Sequence, residues 1–267
     1  MLLGCDFSST PTRRKPILIA LGEESGGRVQ LTRIERLQTL AEFGDWLRQP
    51  QAWIGGFDFP FGLPRAFVDA HAFGNTAAEV IASVRSRCAT RMAWRAFIDA
   101  WGNSQPPGAR LLHRSTDAAS AVTSTSPMQT RYVPVGLMYY EGVGRLIDAG
   151  VTLPGLHHAG DPHRVALEAY PRRLAHALVA RRSYKNSDEG DRRAMREAIV
   201  AALETGLDRF GFTLACDAGV RASLIADASG DRLDAVLCLV QAAAASRRDG
   251  FGVPHDVDPV EGWIAAG

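Results

Sequence analysis

Five acidic residues stand where an apolar run stops or where a helix begins, and no other feature constrains the fold as much. Asp6 ends the run MLLGCDFSS, and Asp58 ends AWIGGFDFPFG. Glu168 lies inside RVALEAYP, while Asp231 and Asp234 open the helix-like stretch GDRLDAVLCLVQAAAA. A carboxylate at the end of a buried strand is costly unless a cation compensates for it. We therefore expect several of these side chains to converge on an oxygen-lined pocket that suits a hard divalent cation.

Each of these carboxylates also has an ordinary structural explanation. An Asp at a strand end often caps a turn with its side chain, which would account for Asp6 or Asp58 taken alone. An Asp at a helix N-terminus interacts favourably with the helix dipole, which would account for Asp231. Asp234 is harder to explain in this way, because its i, i+3 spacing from Asp231 puts both carboxylates on one helical face. For Glu168, within a predicted strand, the local sequence does not decide between a solvent-facing position and a site.

Composition narrows the class of protein. The chain has 267 residues, of which 46% are hydrophobic and 22% charged, as in ordinary globular proteins. The net charge of +1 gives no general support for nucleic-acid binding, although it allows a local basic patch. No apolar stretch approaches the ~20 residues of a membrane span. The four cysteines lack the spacing of a zinc site. These features predict a cytoplasmic protein with free thiols and no membrane association.

Hydrophobic periodicity predicts the order of the elements. LLGCDF, PILIALGE and RVQLTRIER predict three strands, and the Gly-rich link EESGG between the last two is typical of a hairpin turn. LQTLAEFGDWLRQ has apolar residues at helical spacing, and QAWIGGFDF predicts a fourth, buried strand. Short helices, a polar segment at 103–130, a strand at RVALEAY and further helices, LACDAGVRASLIADA among them, follow. This order predicts a single α/β domain over residues 1–267, with a helical and loop insertion at about 64–160.

Two groups of basic residues are candidates for contacts with phosphate groups. The candidates are Arg110, His113 and Arg114 in the polar segment, and Arg172, Arg173 and Lys185 in PRRLAHALVARRSYK. The first group is equally compatible with a solvated loop. The second group would form either a phosphate-facing surface or the solvent-exposed face of an amphipathic helix. The sequence does not choose between these alternatives.

Several of these motifs resemble a known family in combination. The D-F-S opening, G-x-D-F-P-F-G-L-P, E-A-Y-P and the D-x-x-D-A-x-x-C helix together resemble the domain-of-unknown-function family 429. That family is described as predicted nucleases of the ribonuclease H-like superfamily. The resemblance runs from Asp6 to Trp263 and includes the closing DPVEGWI.

The resemblance implies a fold and a site. The implied fold is a mixed five-stranded sheet in the order β-β-β-α-β-insertion-β-α, with its first three strands antiparallel and helices at its sides. The implied site holds two Mg²⁺ or Mn²⁺ ions through Asp6, Asp58, Asp231 and Asp234. The D-x-x-D spacing is more similar to that of junction resolvases than to that of ribonuclease H. Glu168 belongs to the family's own E-A-Y-P motif and is a further catalytic candidate beside these four.

The leading functional prediction is a metal-dependent nuclease that hydrolyses phosphodiester bonds of nucleic acid. Actin-like ATPases and sugar kinases share the implied core, but this chain has no duplicated half and no GxxxxGK[ST] phosphate loop. A non-catalytic binding module of the same fold is the other alternative, and the near-neutral charge favours it. The sequence does not distinguish DNA, RNA, hybrid or branched substrates.

Overall fold

A computed structural model describes residues 1–119, 124–206 and 210–265. In these ranges a mixed sheet lies between two layers of helices. The strands are β1 (Leu2–Asp6), β2 (Ile17–Ser25), β3 (Arg28–Leu37), β4 (Trp53–Phe57), β5 (Val151–Thr152), β6 (Asp161–Glu168) and β7 (Thr213–Ala215). The helices are α1 (Leu40–Leu47), α2 (Arg65–Ala70), α3 (Ala77–Arg87), α4 (Arg91–Ser104), α5 (Ser115–Ala118), α6 (Val135–Asp148), α7 (Pro171–Leu178), α8 (Arg192–Thr205), α9 (Ala218–Ala226) and α10 (Asp231–Ser246). None of these helices is both long enough and apolar enough to cross a bilayer.

The sheet has seven strands in the order β5-β6-β4-β1-β2-β3-β7. β2 runs antiparallel to β1 and β3, whereas the remaining neighbouring pairs are parallel. The predicted β-β-β-α-β opening is therefore confirmed, but the expected five-stranded sheet is not what forms. The two further strands are short edge strands of two and three residues, too short to leave a periodic pattern. Leu214, which we predicted to be helical, lies in one of them and pairs with Val29.

The turn between β2 and β3 forms as its glycines predict. Gly26 and Gly27 have φ angles of 57° and 78°. Two-residue hairpin turns with positive φ at both central positions match the twist of the flanking strands, and glycine adopts such angles without a steric penalty. β2 pairs with β3 across this turn and with β1 on its other side, and β1 is the central strand of the seven.

The two faces of the sheet are covered by different parts of the chain. The insertion between β4 and β6 contributes α2 to α6, which pack with α1 against one face and bury an aromatic-rich core. Helices α7 to α10 cover the opposite face with a second apolar core. The polar segment predicted at 103–130 contains the end of α4 and the whole of α5. Its residues 120–123 lie outside the described residues.

At two positions the backbone of helix α10 lies directly against the sheet, with no side chain between them. Gly4 on β1 and Gly56 on β4 face this helix. A Cβ atom on Gly4 would lie 2.0 Å from the carbonyl oxygen of Ala235, and one on Gly56 would lie 2.4 Å from that of Cys238. Such distances exclude any side chain, so the helix backbone rests directly on both strands. The contact brings the first turn of α10 to the carboxyl ends of β1 and β4.

We predict that Gly4→Ala destabilises the protein by about 1–3 kcal/mol or more, because the added methyl group must push the helix backbone away from the sheet. Urea denaturation of purified protein measures this loss. Gly219→Ala on α9 is the matched control, since no atom lies within 4 Å of its added Cβ. Its stability should stay unchanged or rise slightly, because Ala favours a helix over Gly. A Gly4→Ala variant as stable as the wild type would contradict the close contact.

Candidate metal centre

Strand register places Asp6 and Asp58 side by side. Alternate residues of a strand point to the same face, so the side chains of Asp6 and Asp58 follow Gly4 and Gly56 on the face that carries α10. Gly4 is the register partner of Gly56, and the backbone N–H of Asp58 donates to the carbonyl oxygen of Cys5 at 3.0 Å. The two aspartates therefore end adjacent parallel strands and face the same helix.

Asp234 completes a group of three carboxylates. It lies in the first turn of α10, directly before Ala235, whose carbonyl faces Gly4. Carboxylate oxygens of Asp6, Asp58 and Asp234 lie within 4.8 Å of one another. The structure thus brings together three of the five acidic residues that the sequence singled out, one from each of three elements.

Two of these carboxylates accept no hydrogen bond from the residues that the structure describes. Among residues 1–119, 124–206 and 210–265, no donor lies within hydrogen-bond distance of the side-chain oxygens of Asp6 or Asp58. Asp6 is only 9% exposed, and burial together with neighbouring carboxylates raises its pKa well above the ordinary range. Burial, reinforced by Asp234, raises the pKa of Asp58 to about 7. Asp6 is buried and Asp58 half-buried, so a proton or a cation would relieve the cost of their charges.

The donor set fits a hard divalent cation. Carboxylate oxygens are the ligands that Mg²⁺ and Mn²⁺ prefer, whereas Zn²⁺ favours His and Cys. The thiols nearest to the three carboxylates are those of Cys5 and Cys238, and burial first, then the aspartate charges, raises the pKa of each thiol. A raised thiol pKa disfavours the thiolate that a metal would require. Asp6, Asp58 and Asp234 could therefore hold such a cation, and the two cysteines would not compete for it.

Asp234 differs from the other two aspartates because protein donors already contact it. The hydroxyl of Tyr184 donates to its Oδ1 atom at 2.5 Å, and the ammonium group of Lys185 donates to its Oδ2 atom. The same Lys185 Nζ lies 3.5 Å from Oδ1 of Asp231. Although burial opposes it, the charge of Asp234 holds the pKa of Lys185 above its ordinary value. Lys185 is therefore a cation within the acidic site, and Asp231 pairs with it outside the group of three.

A buried arginine fixes the loop that carries Tyr184 and Lys185. Arg196 on α8 is fully buried and donates to the carbonyl oxygens of Tyr184 at 2.9 Å and Ile225 at 2.7 Å. Sequence reasoning missed Arg196, because it lies among several charged residues of an amphipathic helix. It also missed the partnership of Lys185 with the carboxylates. One signal was available: lysine occurs only at positions 15 and 185, and both residues line the same cavity.

Glu168 belongs to a buried ion-pair network beside the three carboxylates. It is the last residue of β6 rather than an interior strand residue. Its two carboxylate oxygens accept from Arg114 at 2.6 and 2.8 Å, and one of them also accepts from the backbone N–H of Phe61 at 2.9 Å. Arg114 is only 1% exposed and pairs with Asp117 as well. Glu168 therefore holds the insertion against the sheet, and Arg114 is a buried ion-pair partner rather than a residue of a solvated loop.

The cavity in front of the carboxylates has a volume of about 630 Å³. Its lining includes all five acidic residues of the sequence prediction. Of the six basic candidates, Arg114, Arg172 and Lys185 line it. Arg110 and His113 are exposed, and these two and Arg173 are not among the described residues that line the cavity. Two members of the second basic group and one member of the first therefore line the cavity.

The raised pKa of Asp58 predicts a dependence of stability on pH. A folded-state pKa of about 7, above the ordinary value of 3.8, means that the folded protein binds this proton more tightly than the unfolded chain. Metal-free stability therefore falls as the pH rises from about 4 to about 7. We expect Asp58→Asn to be more stable than wild type by about 1–3 kcal/mol at pH 8 in a chelator, with a smaller difference at pH 5.

Chemical denaturation at the two pH values measures this difference. Asp256→Asn, at an exposed position away from the cavity, should match the wild type at both pH values. Excess Mg²⁺ or Mn²⁺ at pH 8 should stabilise the wild type and not Asp58→Asn, because a bound ligand stabilises only the folded state that holds it. A metal-free Asp58→Asn variant no more stable than wild type at pH 8 would contradict the electrostatic cost of Asp58.

Comparison with known proteins agrees with the motifs noted in the sequence. The family model described as "Protein of unknown function (DUF429)" matches residues 4–258. No curated protein and no solved structure gave a significant match. The matched region spans β1 to the segment after α10 and includes the three clustered aspartates. The chain therefore belongs to the DUF429 family.

Proposed function

We propose that this protein is a metal-dependent hydrolase that cleaves phosphodiester bonds of nucleic acid, with Mg²⁺ or Mn²⁺ as its cofactor. The observation that supports this proposal is the group formed by Asp6, Asp58 and Asp234. Their oxygens lie within 4.8 Å of one another, and two of the three carboxylates have no donor among the described residues. The seven-stranded sheet is compatible with an elaborated ribonuclease H-like fold, whose central strand and fourth strand would carry the same acidic positions.

The ligands sit on rigid elements. Asp6 and Asp58 come from the two central parallel strands, and Asp234 comes from a helix that touches both strands through backbone atoms. Sites built on strands and helices hold their geometry better than sites built on loops. A divalent cation bound there would supply a nucleophile from water at neutral pH and would neutralise charge on the phosphate group.

Lys185 has a separate part in this proposal. Its ammonium group is fixed by Asp234 and Asp231 at the edge of the three-carboxylate group. A fixed positive charge at this place would stabilise the negative charge that develops on a phosphate during hydrolysis. Lys185 already pairs with both Asp231 and Asp234. The geometry therefore supports one divalent metal ion held by Asp6, Asp58 and Asp234, rather than the two metal ions that the resemblance implies.

One observation favours a second candidate, a non-catalytic binding module. Lys185 already neutralises Asp234, so part of the acidic group has an internal counter-ion. The hydrolase explains more of the structure, because Lys185 makes no hydrogen bond or ion pair with the carboxylates of Asp6 and Asp58. Two partly desolvated carboxylates without donors lower stability, and a purely structural role gives no reason for that cost.

Cleavage assays test the proposed hydrolysis. Single-stranded, duplex, hybrid and branched nucleic acids are incubated with Mg²⁺ or Mn²⁺ and with wild type or Asp6→Asn. We expect wild type to cut at least one substrate class and Asp6→Asn to be slower by about 100-fold or more, because a ligated cation contributes several kcal/mol to the transition state.

Asp256→Asn, exposed and outside the cavity lining, serves as the matched control and should cleave at the wild-type rate. A chelator should abolish cleavage by both proteins. If no substrate is cut, or if Asp6→Asn cuts as fast as the wild type, the hydrolase proposal fails and the binding module becomes the better explanation.

A further inference from the structure

We propose that Tyr132 is a stacking platform for an unpaired base, which makes single-stranded nucleic acid the substrate class of this site. The inference rests on the proposed function, because it assumes that a phosphodiester strand reaches the carboxylates. Tyr132 lines the same cavity as Asp6 and Asp58, yet the residue is 99% exposed. An aromatic ring left fully in water at the rim of a functional cavity has no role in the protein core.

The backbone holds Tyr132 in this exposed position. Its φ angle is 59°, in the left-handed region that residues other than glycine rarely adopt. Thr130 and Arg131 both donate to the carboxylate of Asp99 on α4, at 2.6 and 2.9 Å. On the other side, the backbone N–H of Gly136 donates to the carbonyl of Gln129 at 2.9 Å. The segment is thus anchored on both sides of the ring, which lowers the entropic cost of a contact with a ligand.

Unusual backbone angles gather around this cavity. Six residues other than glycine have positive φ among the described ranges, and three of them line the cavity. These three are Tyr132, Arg181 and Asn186. Such angles cost free energy and occur preferentially at ligand-binding sites, where the surrounding structure maintains them. The rim of the cavity therefore contains residues with left-handed backbone angles, which packing of the core alone does not require.

The charges of the rim suit a polyanion. Lys15, Arg172 and Arg182 are exposed and line the cavity, whereas the carboxylates inside it are largely buried. Proteins that bind single strands without sequence preference combine basic side chains along the backbone path with aromatic rings under the bases. Tyr132 together with these three residues provides both components around one cavity.

Burial of the carboxylates favours a single strand over a duplex. Asp6 is 9% exposed and Asp234 is 3% exposed, so a phosphate group must enter the cavity to approach them. A duplex is stiff and keeps its bases stacked inside, so it offers no free base face to Tyr132. An unpaired strand can bend into the cavity and place a base on the ring.

Binding of labelled oligonucleotides tests the inference separately from hydrolysis. Fluorescence anisotropy is recorded at one fixed salt concentration with single-stranded DNA, single-stranded RNA and duplex DNA, using protein that carries Asp6→Asn to suppress cleavage. Adding Tyr132→Ala should weaken single-strand binding by about 5- to 100-fold, because stacking on an aromatic ring contributes that much per base. Tyr132→Phe and Tyr132→Trp should keep the affinity, since each retains an aromatic face.

Met92→Ala is the matched control, because Met92 is 58% exposed but does not line the cavity. This variant should bind like its parent. The inference is contradicted if Tyr132→Ala binds as tightly as its parent, if Tyr132→Phe loses as much affinity as Tyr132→Ala, if duplex binds as tightly as single strand, or if no oligonucleotide binds. Binding that depends on Tyr132, without cleavage of any substrate by wild type, would contradict the proposed hydrolysis alone. The affinities for single-stranded DNA and single-stranded RNA, compared with each other, show whether the site prefers deoxyribose or ribose.

Discussion

The backbone contact of α10 with Gly4 and Gly56 is the interaction on which the rest of this structure depends. A side chain at either glycine would move the helix away from the sheet, since the added Cβ atom would lie 2.4 Å or less from helix backbone atoms. With both glycines in place, the first turn of the helix reaches the ends of two parallel strands. Asp234 then meets Asp6 and Asp58 as a direct result of packing, without any loop to position it.

The electrostatics of the site follow from this packing. Three carboxylates in close proximity repel one another, and burial adds to the cost of their charges. Lys185 relieves part of that cost at Asp234 and Asp231, and buried Arg196 holds the Lys185 loop in place. Burial is the main reason that the pKa values of Asp6, Asp58 and Asp234 all rise, and the positive charge of Lys185 offsets only part of that rise. The protein therefore has lower metal-free stability than its packing alone would provide, as is common where a site is prepared for a ligand.

Sequence predicted the centre of the sheet and the positions of the acidic residues, because these depend on local patterns. Apolar runs that end in Asp6 and Asp58 mark strand ends, and an apolar helix that opens with Asp231 and Asp234 marks the helix that faces them. The short edge strands could not be predicted, because two or three residues carry no periodicity. Partners distant in sequence were equally inaccessible: nothing local links Arg114 to Glu168 or Lys185 to Asp234. The glycines at positions 4 and 56 were visible in the sequence, and their placement within buried strands was the overlooked signal of close helix contact.

A crystal structure of the protein soaked with Mn²⁺, with anomalous diffraction recorded to locate the metal, tests the central claim most directly. We expect one manganese peak coordinated by Asp6, Asp58 and Asp234, with Lys185 still next to Asp231. The expected distances are about 2.0–2.3 Å, as for other small divalent cations on carboxylate oxygens. The absence of manganese between these three side chains at saturating Mn²⁺ would contradict the proposed metal site, as would manganese bound elsewhere while Asp6 and Asp58 keep their present arrangement.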